Sequence, residues 1–142
     1  MRKSQSACLI AGLFWLVALA RPATAETPLE RCFAEVSNRL ELKPCLEARL
    51  ADAKRRLSSA EAAMREEMDA LHAITGRDAA VRAFAEASIA FERFRDRDCR
   101  WTRERAEPGT GAADFELDCL IRHTESRAHE LRAELRPADA ND

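Results

Sequence analysis

The chain has 142 residues, 23 of them basic and 25 acidic, with a formal net charge of −2, 46% hydrophobic residues, 6% aromatics and no tyrosine. Those figures allow a single domain with a modest core and argue against a nucleic-acid-binding protein, which would carry a strongly basic balance. Four glycines and five prolines, set among abundant Ala, Leu, Glu and Arg, make the composition helical.

Residues 1–25 read as a secretory signal peptide. "MRK" is a basic opening, "ACLIAGLFWLVALA" an apolar stretch and "ATA" a small-residue cleavage site before Glu26. The uncharged run from Ala7 to Ala20 is 14 residues, short of the roughly 20 needed to span a bilayer, so stable membrane insertion is not expected after cleavage. Cys8 leaves with the signal. So do Arg2, Lys3 and Arg21, and the remaining 117 residues (142 less 25) carry 20 basic and 25 acidic groups, a net charge of −5. Cys32, Cys45, Cys99 and Cys119 remain, an even number in an exported chain, which reads as two disulfides. Of the three possible pairings, Cys32–Cys45 and Cys99–Cys119 each close a short local loop.

A single domain is expected over residues 26–136. "TPLERCFAEV" offers Thr27 as N-cap, Pro28 at the first helical position and Glu30 three residues after the threonine, the pattern of a capping box. Leu29, Cys32, Phe33, Val36 and Leu40 would then share one apolar face. A second helix starts at Pro44 and carries Leu46, Leu50, Ala53, Leu57, Ala60, Met64, Met68 and Leu71 at steps of three and four, ending at Gly76 as C-cap. A third runs from about Asp78 to Arg105, with Val81, Phe84, Ala87, Ser88 and Phe91 inward, until "EPGTG" breaks it. The last runs from about Ala113 to Arg136, with Leu117, Leu120, Ile121, Thr124, Ala128, Leu131 and Leu135 on one face, and Thr110 or Asp114 available as its N-cap. Pro137 ends it, and residues 137–142 read as a disordered tail. The expected fold is all-α: an antiparallel bundle of about four helices, two of them long, with two disulfides.

No residue pattern points to catalysis, to a cofactor or to a metal. His123 and His129 are six residues apart, on different sides of a helix, and His72 is remote in sequence from both, so all three read as surface histidines. There is no GxSxG motif and no phosphate-cradling glycine loop. "FERFRDRDCRWT", residues 91–102, concentrates charge between aromatics beside a cysteine. Helical angles place Phe91, Phe94, Arg95 and Asp98 inward and Asp96 and Arg97 elsewhere, with Asp98 the nearest partner for a buried Arg95. If that pair were buried, removing Arg95 would cost roughly 3–5 kcal/mol. The segment between Cys99 and Cys119, held at both ends, reads as a projecting loop. Glu107, Pro108, Gly109, Thr110, Gly111 and Asp114 are its candidate binding residues.

The order Cys32, Cys45, Phe91-x-x-Phe94-Arg95-Asp96-x-x-Cys99, a glycine-containing loop, then Cys119-Leu120, Thr124, Arg127 and Leu131 resembles the LprI-type lysozyme inhibitor domain family over about residues 30–135. The tryptophan that usually opens the aromatic pair is Phe91 here, the usual Leu-Asn-x-x-Tyr of the long helix is Leu57-Ser58-x-x-Glu61, and the leucine before the threonine is His123. The resemblance implies a small exported helical domain, not an enzyme, whose partner is a protein such as lysozyme. Lysozymes of the animal type are basic, so an acidic inhibitor would be steered toward them. The alternative reading is an envelope structural or stress-response module with a partner other than lysozyme.

Overall fold

The computed structural model describes residues 26–135; residues 1–25, read above as a signal peptide, and residues 136–142, which include the expected tail, lie outside the described residues. Four α-helices follow in order: α1 (Pro28–Glu35), α2 (Leu42–Thr75), α3 (Ala79–Ala106) and α4 (Ala112–Glu134), with a 3-10 turn at Arg39–Glu41 before α2. No strand occurs among the described residues. Three helices are long rather than two. The connections at 76–78 and 107–111 are short, so α2, α3 and α4 run up, down and up.

The caps explain where the helices begin and end. Thr27 closes the expected capping box: its hydroxyl accepts from the Glu30 amide while the Glu30 carboxylate accepts from the Thr27 amide at 2.7 Å. Those bonds to Thr27 hold the Glu30 carboxyl below its ordinary value of 4.5. The cap is therefore at full strength above the ordinary carboxylate range and is lost as pH falls through the lowered value. At the other end of the longest helix Gly76 adopts φ 68°, the left-handed conformation that ends α2, and donates to the His72 carbonyl. α4 starts without a side-chain cap, on Gly111; neither Thr110 nor Asp114 caps it.

α1 is shorter than its apolar spacing implies. It stops at Glu35, where Val36 turns to extended backbone, and Asn38 then caps the 3-10 turn by accepting from the Leu40 amide. Leu40 is consequently 87% exposed instead of facing the core, and Phe33, although within α1, is 48% exposed.

α4 is the hub, since α1, α2 and α3 all pack on it, with the broadest contact to α2. The core has two parts. Nearer α1 it joins Cys32, Leu42, Leu46, Leu50, Ala53 and Ile121; toward the C-terminal end of α4 it joins Leu57, Ala60, Met64, Ala128 and Leu131, with Phe84 and Phe91 of α3 packed against them. The expected apolar stripes of α2 and α4 are thus buried against each other, up to Met64.

Two disulfides fasten the ends. Cys32–Cys45 ties α1 to the first turn of α2, and Cys99–Cys119 ties α3 to α4, with Cα–Cα distances of 5.9 and 5.4 Å. A further fastening comes from Asp118, a buried carboxylate on α4. It accepts from the Leu29 amide and from Arg122 Nε, both at 2.9 Å. The first amides of a helix have no partner within it, so Asp118 both holds α1 in place and satisfies one of its open donors.

Candidate functional site

The stretch 91–102 lies wholly within α3, and the side chains it sends inward are fewer than the helical angles imply. Phe91 packs into the second part of the core. Arg95 is buried, 9% exposed. Its partner, however, is Asp96, through Nε at 2.9 Å and the guanidinium NH2 at 2.8 Å, and not Asp98. The arginine is long enough to fold back to the next residue, whereas Asp98 meets His123 of α4, with Oδ2 2.9 Å from Nε2. His123 is accordingly half-buried rather than a surface histidine, and His72 and His129 are exposed. Phe94 also departs from expectation. It is 55% exposed and touches α4 through an edge-to-face contact with the His123 ring, the centroids 5.2 Å apart.

The Arg95–Asp96 pair leaves the aspartate side chain 57% exposed, so water can solvate it when the arginine is lost. Arg95→Ala is therefore expected to cost about 1 kcal/mol in denaturant unfolding, mostly lost packing over the Phe91 ring, rather than the several kcal/mol of a buried pair. A loss above about 3 kcal/mol would show the pair to be desolvated. Arg95 also lines a cleft between α2 and α3 with Lys54, Leu57, Ser58, Glu61 and Glu92. The Leu57-Ser58-x-x-Glu61 motif of the long helix and the Arg-Asp motif of α3 are thus brought together.

On α4, Leu120 packs against the first part of the core, and Thr124 is fully buried. Its hydroxyl donates to the Leu120 carbonyl at 2.6 Å, so the partner it needs comes from its own helix. Arg127 is half-buried, with its guanidinium 5.9 Å from the Phe91 centroid and 3.6 Å from Glu130. Phe91, Arg95 and Arg127 thus lie together where α3 meets α4, while Leu120 packs on the first part of the core and Thr124 is buried on α4; these five residues offer no arrangement of nucleophile, base and orienting group.

The segment between Cys99 and Cys119 is mostly helix, not a projecting loop: α3 continues to Ala106 and α4 begins at Ala112. What remains is a five-residue hairpin turn over 107–111, containing a cis Glu107–Pro108 bond. Gly109 donates to the Ala106 carbonyl, and a Cβ there would stand 2.8 Å from that oxygen, so the turn requires glycine. Its charges are mutually satisfied. Arg103 reaches Glu107 at 3.3 Å and Glu116 at 3.2 Å, contacts that raise its pKa, and Asp114 takes Arg39 at 2.7 Å. Arg39 in turn lies 5.3 Å over the Phe33 ring and beside Gly111, which neighbours Phe115. The hairpin end of the molecule thus presents Phe33 and Phe115, each about half exposed, around a braced turn.

Two groups could hold a metal by composition, Asp98, Cys99, Cys119 and His123, and Cys32, Glu35 and Cys45, each with its ligand atoms within 4.8 Å of one another. In both, the sulfurs are joined in disulfides, so neither offers the thiolates that such a site requires. No helix among the described residues is long and apolar enough to cross a membrane.

Among known proteins, a family model described as Lysozyme inhibitor LprI matches residues 32–131. No curated protein and no solved structure matches the chain.

Proposed function

Because the chain belongs to the LprI lysozyme inhibitor family, we propose that it is an exported binding protein that inhibits a muramidase by docking on it, without chemistry of its own. The observation that carries this reading is the family match, which spans every helix except the opening turn of α1 and the last residues of α4. Two disulfides fit an oxidising compartment, in line with cleavage of residues 1–25 and a mature domain over 26–136. The net charge of −5 on residues 26–142 favours encounter with a basic partner and makes binding weaken as salt rises.

The hairpin end is the proposed leading edge of the docking surface. Glu107, Pro108, Gly109, Thr110 and Gly111 form the turn and Asp114 lies beside it in the first turn of α4; the Cys99–Cys119 bond and the Arg39–Asp114 pair support a single shape for this end, so little ordering entropy is lost on binding.

Purified residues 26–142 should inhibit at least one lysozyme in a panel of several types at low salt, saturably, with inhibition weakening as salt is added. Unchanged muramidase activity across the panel at micromolar protein would overturn the reading. Recovery of a different envelope protein on co-purification would then point to an interaction module with another partner.

A further inference from the structure

A group of side chains on the outward face of α3 is exposed and takes no part in the buried core. At about 100° per residue, Arg93, Phe94, Arg97, Arg100 and Trp101 fall within an arc of about 120°, on the side of the helix away from Arg95 and Cys99. Phe94 and Trp101 are 55% and 56% exposed, and the three arginines are exposed. None of these arginines enters an ion pair or hydrogen bond with another described residue, although Arg82 before them and Arg103 after them are both paired.

Both aromatic rings are held in place. The edge of His123 meets Phe94 at 5.2 Å while its Nε2 is fixed by Asp98. The Arg105 guanidinium lies 4.8 Å from the Trp101 centroid. Between these rings, Cys99 bonds the helix to α4. An exposed tryptophan and unpaired arginines are the residue types that dominate binding energy at protein interfaces, and here the helix and both rings are positioned before a partner arrives, while the free arginine side chains are ordered on contact.

We infer that this face of α3 is the part of the docking surface that meets the carboxylate-bearing, sugar-binding cleft of the target muramidase. The inference rests on the inhibitor reading above and specifies which surface does the covering. A five-residue turn cannot supply the roughly 800 Å² that each partner of a stable complex buries, and α3 leads directly from the turn into this face. Glycoside hydrolases keep two carboxylates on either side of the bond they cut. Unpaired guanidinium groups are the chemical complement of such a cleft, because each can take a carboxylate bidentately. The overall acidity of the chain governs long-range encounter, and the local arginines govern the contact.

The test uses residues 26–142 carrying Arg93→Gln, Arg97→Gln and Arg100→Gln together, alongside Trp101→Ala, in inhibition assays with an animal-type lysozyme at low salt. Each variant should inhibit roughly tenfold less well or worse, with an unchanged helical circular dichroism spectrum and unfolding midpoint. A lysozyme whose two catalytic carboxylates are replaced by amides should bind the unsubstituted protein more weakly, yet show a smaller further loss with the triple variant. Undiminished inhibition by the folded triple variant would overturn the inference while leaving the inhibitor reading intact. Failure of the unsubstituted protein to inhibit any lysozyme would remove both. Undiminished inhibition by the variants, combined with a blue shift of Trp101 emission on anionic phospholipid vesicles, would assign the face to a lipid surface and overturn the inference. The vesicle measurement is clean because Trp101 is the one tryptophan in residues 26–142.

Discussion

Leu46→Ala is expected to lower the free energy of unfolding by about 2–5 kcal/mol, toward the upper part of that range. Leu46 is fully buried among Cys32, Leu42, Leu50, Ala53 and Ile121, where α1, α2 and α4 meet. Truncation removes its buried methyl and methylene groups from contact, and the remaining cost depends on whether the walls can close over the space. They are poorly placed to do so, because Cys32–Cys45 pins α1 to α2 one residue before Leu46, and Asp118 pins the first turn of α1 to α4. Domains of this size are stable by about 5–15 kcal/mol, so the loss is a large fraction of the total. Urea unfolding of the variant beside Leu40→Ala would measure it. Leu40 is 87% exposed and should change stability by less than about 0.5 kcal/mol. Equal losses at the two positions would contradict the core described above.

The second large effect concerns the Cys99–Cys119 bond, which closes a segment with a sequence separation of 20. In the chain-entropy account a loop of that length contributes about 3 kcal/mol by restricting the unfolded chain. Cys99→Ala with Cys119→Ala should therefore shift the urea midpoint downward by the equivalent of about 3 kcal/mol. The same substitution should loosen the hairpin end first, because without the bond the turn at 107–111 is left to the Arg103 pairs with Glu107 and Glu116 and to the Arg39–Asp114 pair, all solvent-facing ion pairs. Faster proteolytic cleavage within 103–115 would report that loosening. A midpoint and a cleavage rate both unchanged would show that helix packing alone sets the geometry of α3 and α4.

What could be read from the sequence follows the range over which each determinant acts. The Thr27 capping box, the Gly76 stop and the two disulfide pairs depend on residues close together along the chain, and all stand as expected. The stripes of α2 and α4 are long enough to identify the buried faces without knowing what covers them. Leu40 fails because α1 already ends at Glu35, where Val36 turns extended, and Asn38 then caps a separate 3-10 turn that carries the leucine away from the core. Phe94 and Asp98 fail for a different reason. Both sit at the margin of α3's inward face, where only the position of His123 on another helix decides their contacts. Arg95 is buried as the helical angles imply, but it pairs with Asp96, while Asp98 is taken up by His123. Asp118 shows no local signal at all, since the amide it captures lies 89 residues away. The break at "EPGTG" was legible to within a residue at either side, and only the idea of a long projecting loop between Cys99 and Cys119 fails, because helical residues make up most of that segment.

The functional reading rests on occlusion of an enzyme's cleft, and steady-state kinetics test that most directly. Initial rates of an inhibited lysozyme should be measured on a soluble oligosaccharide substrate at several concentrations of residues 26–142. The account predicts that apparent KM rises with inhibitor while kcat stays constant, the pattern of a protein that covers the cleft only while substrate is absent. A fall in kcat with KM unchanged would contradict it, because the inhibitor would then be acting at a surface away from the cleft.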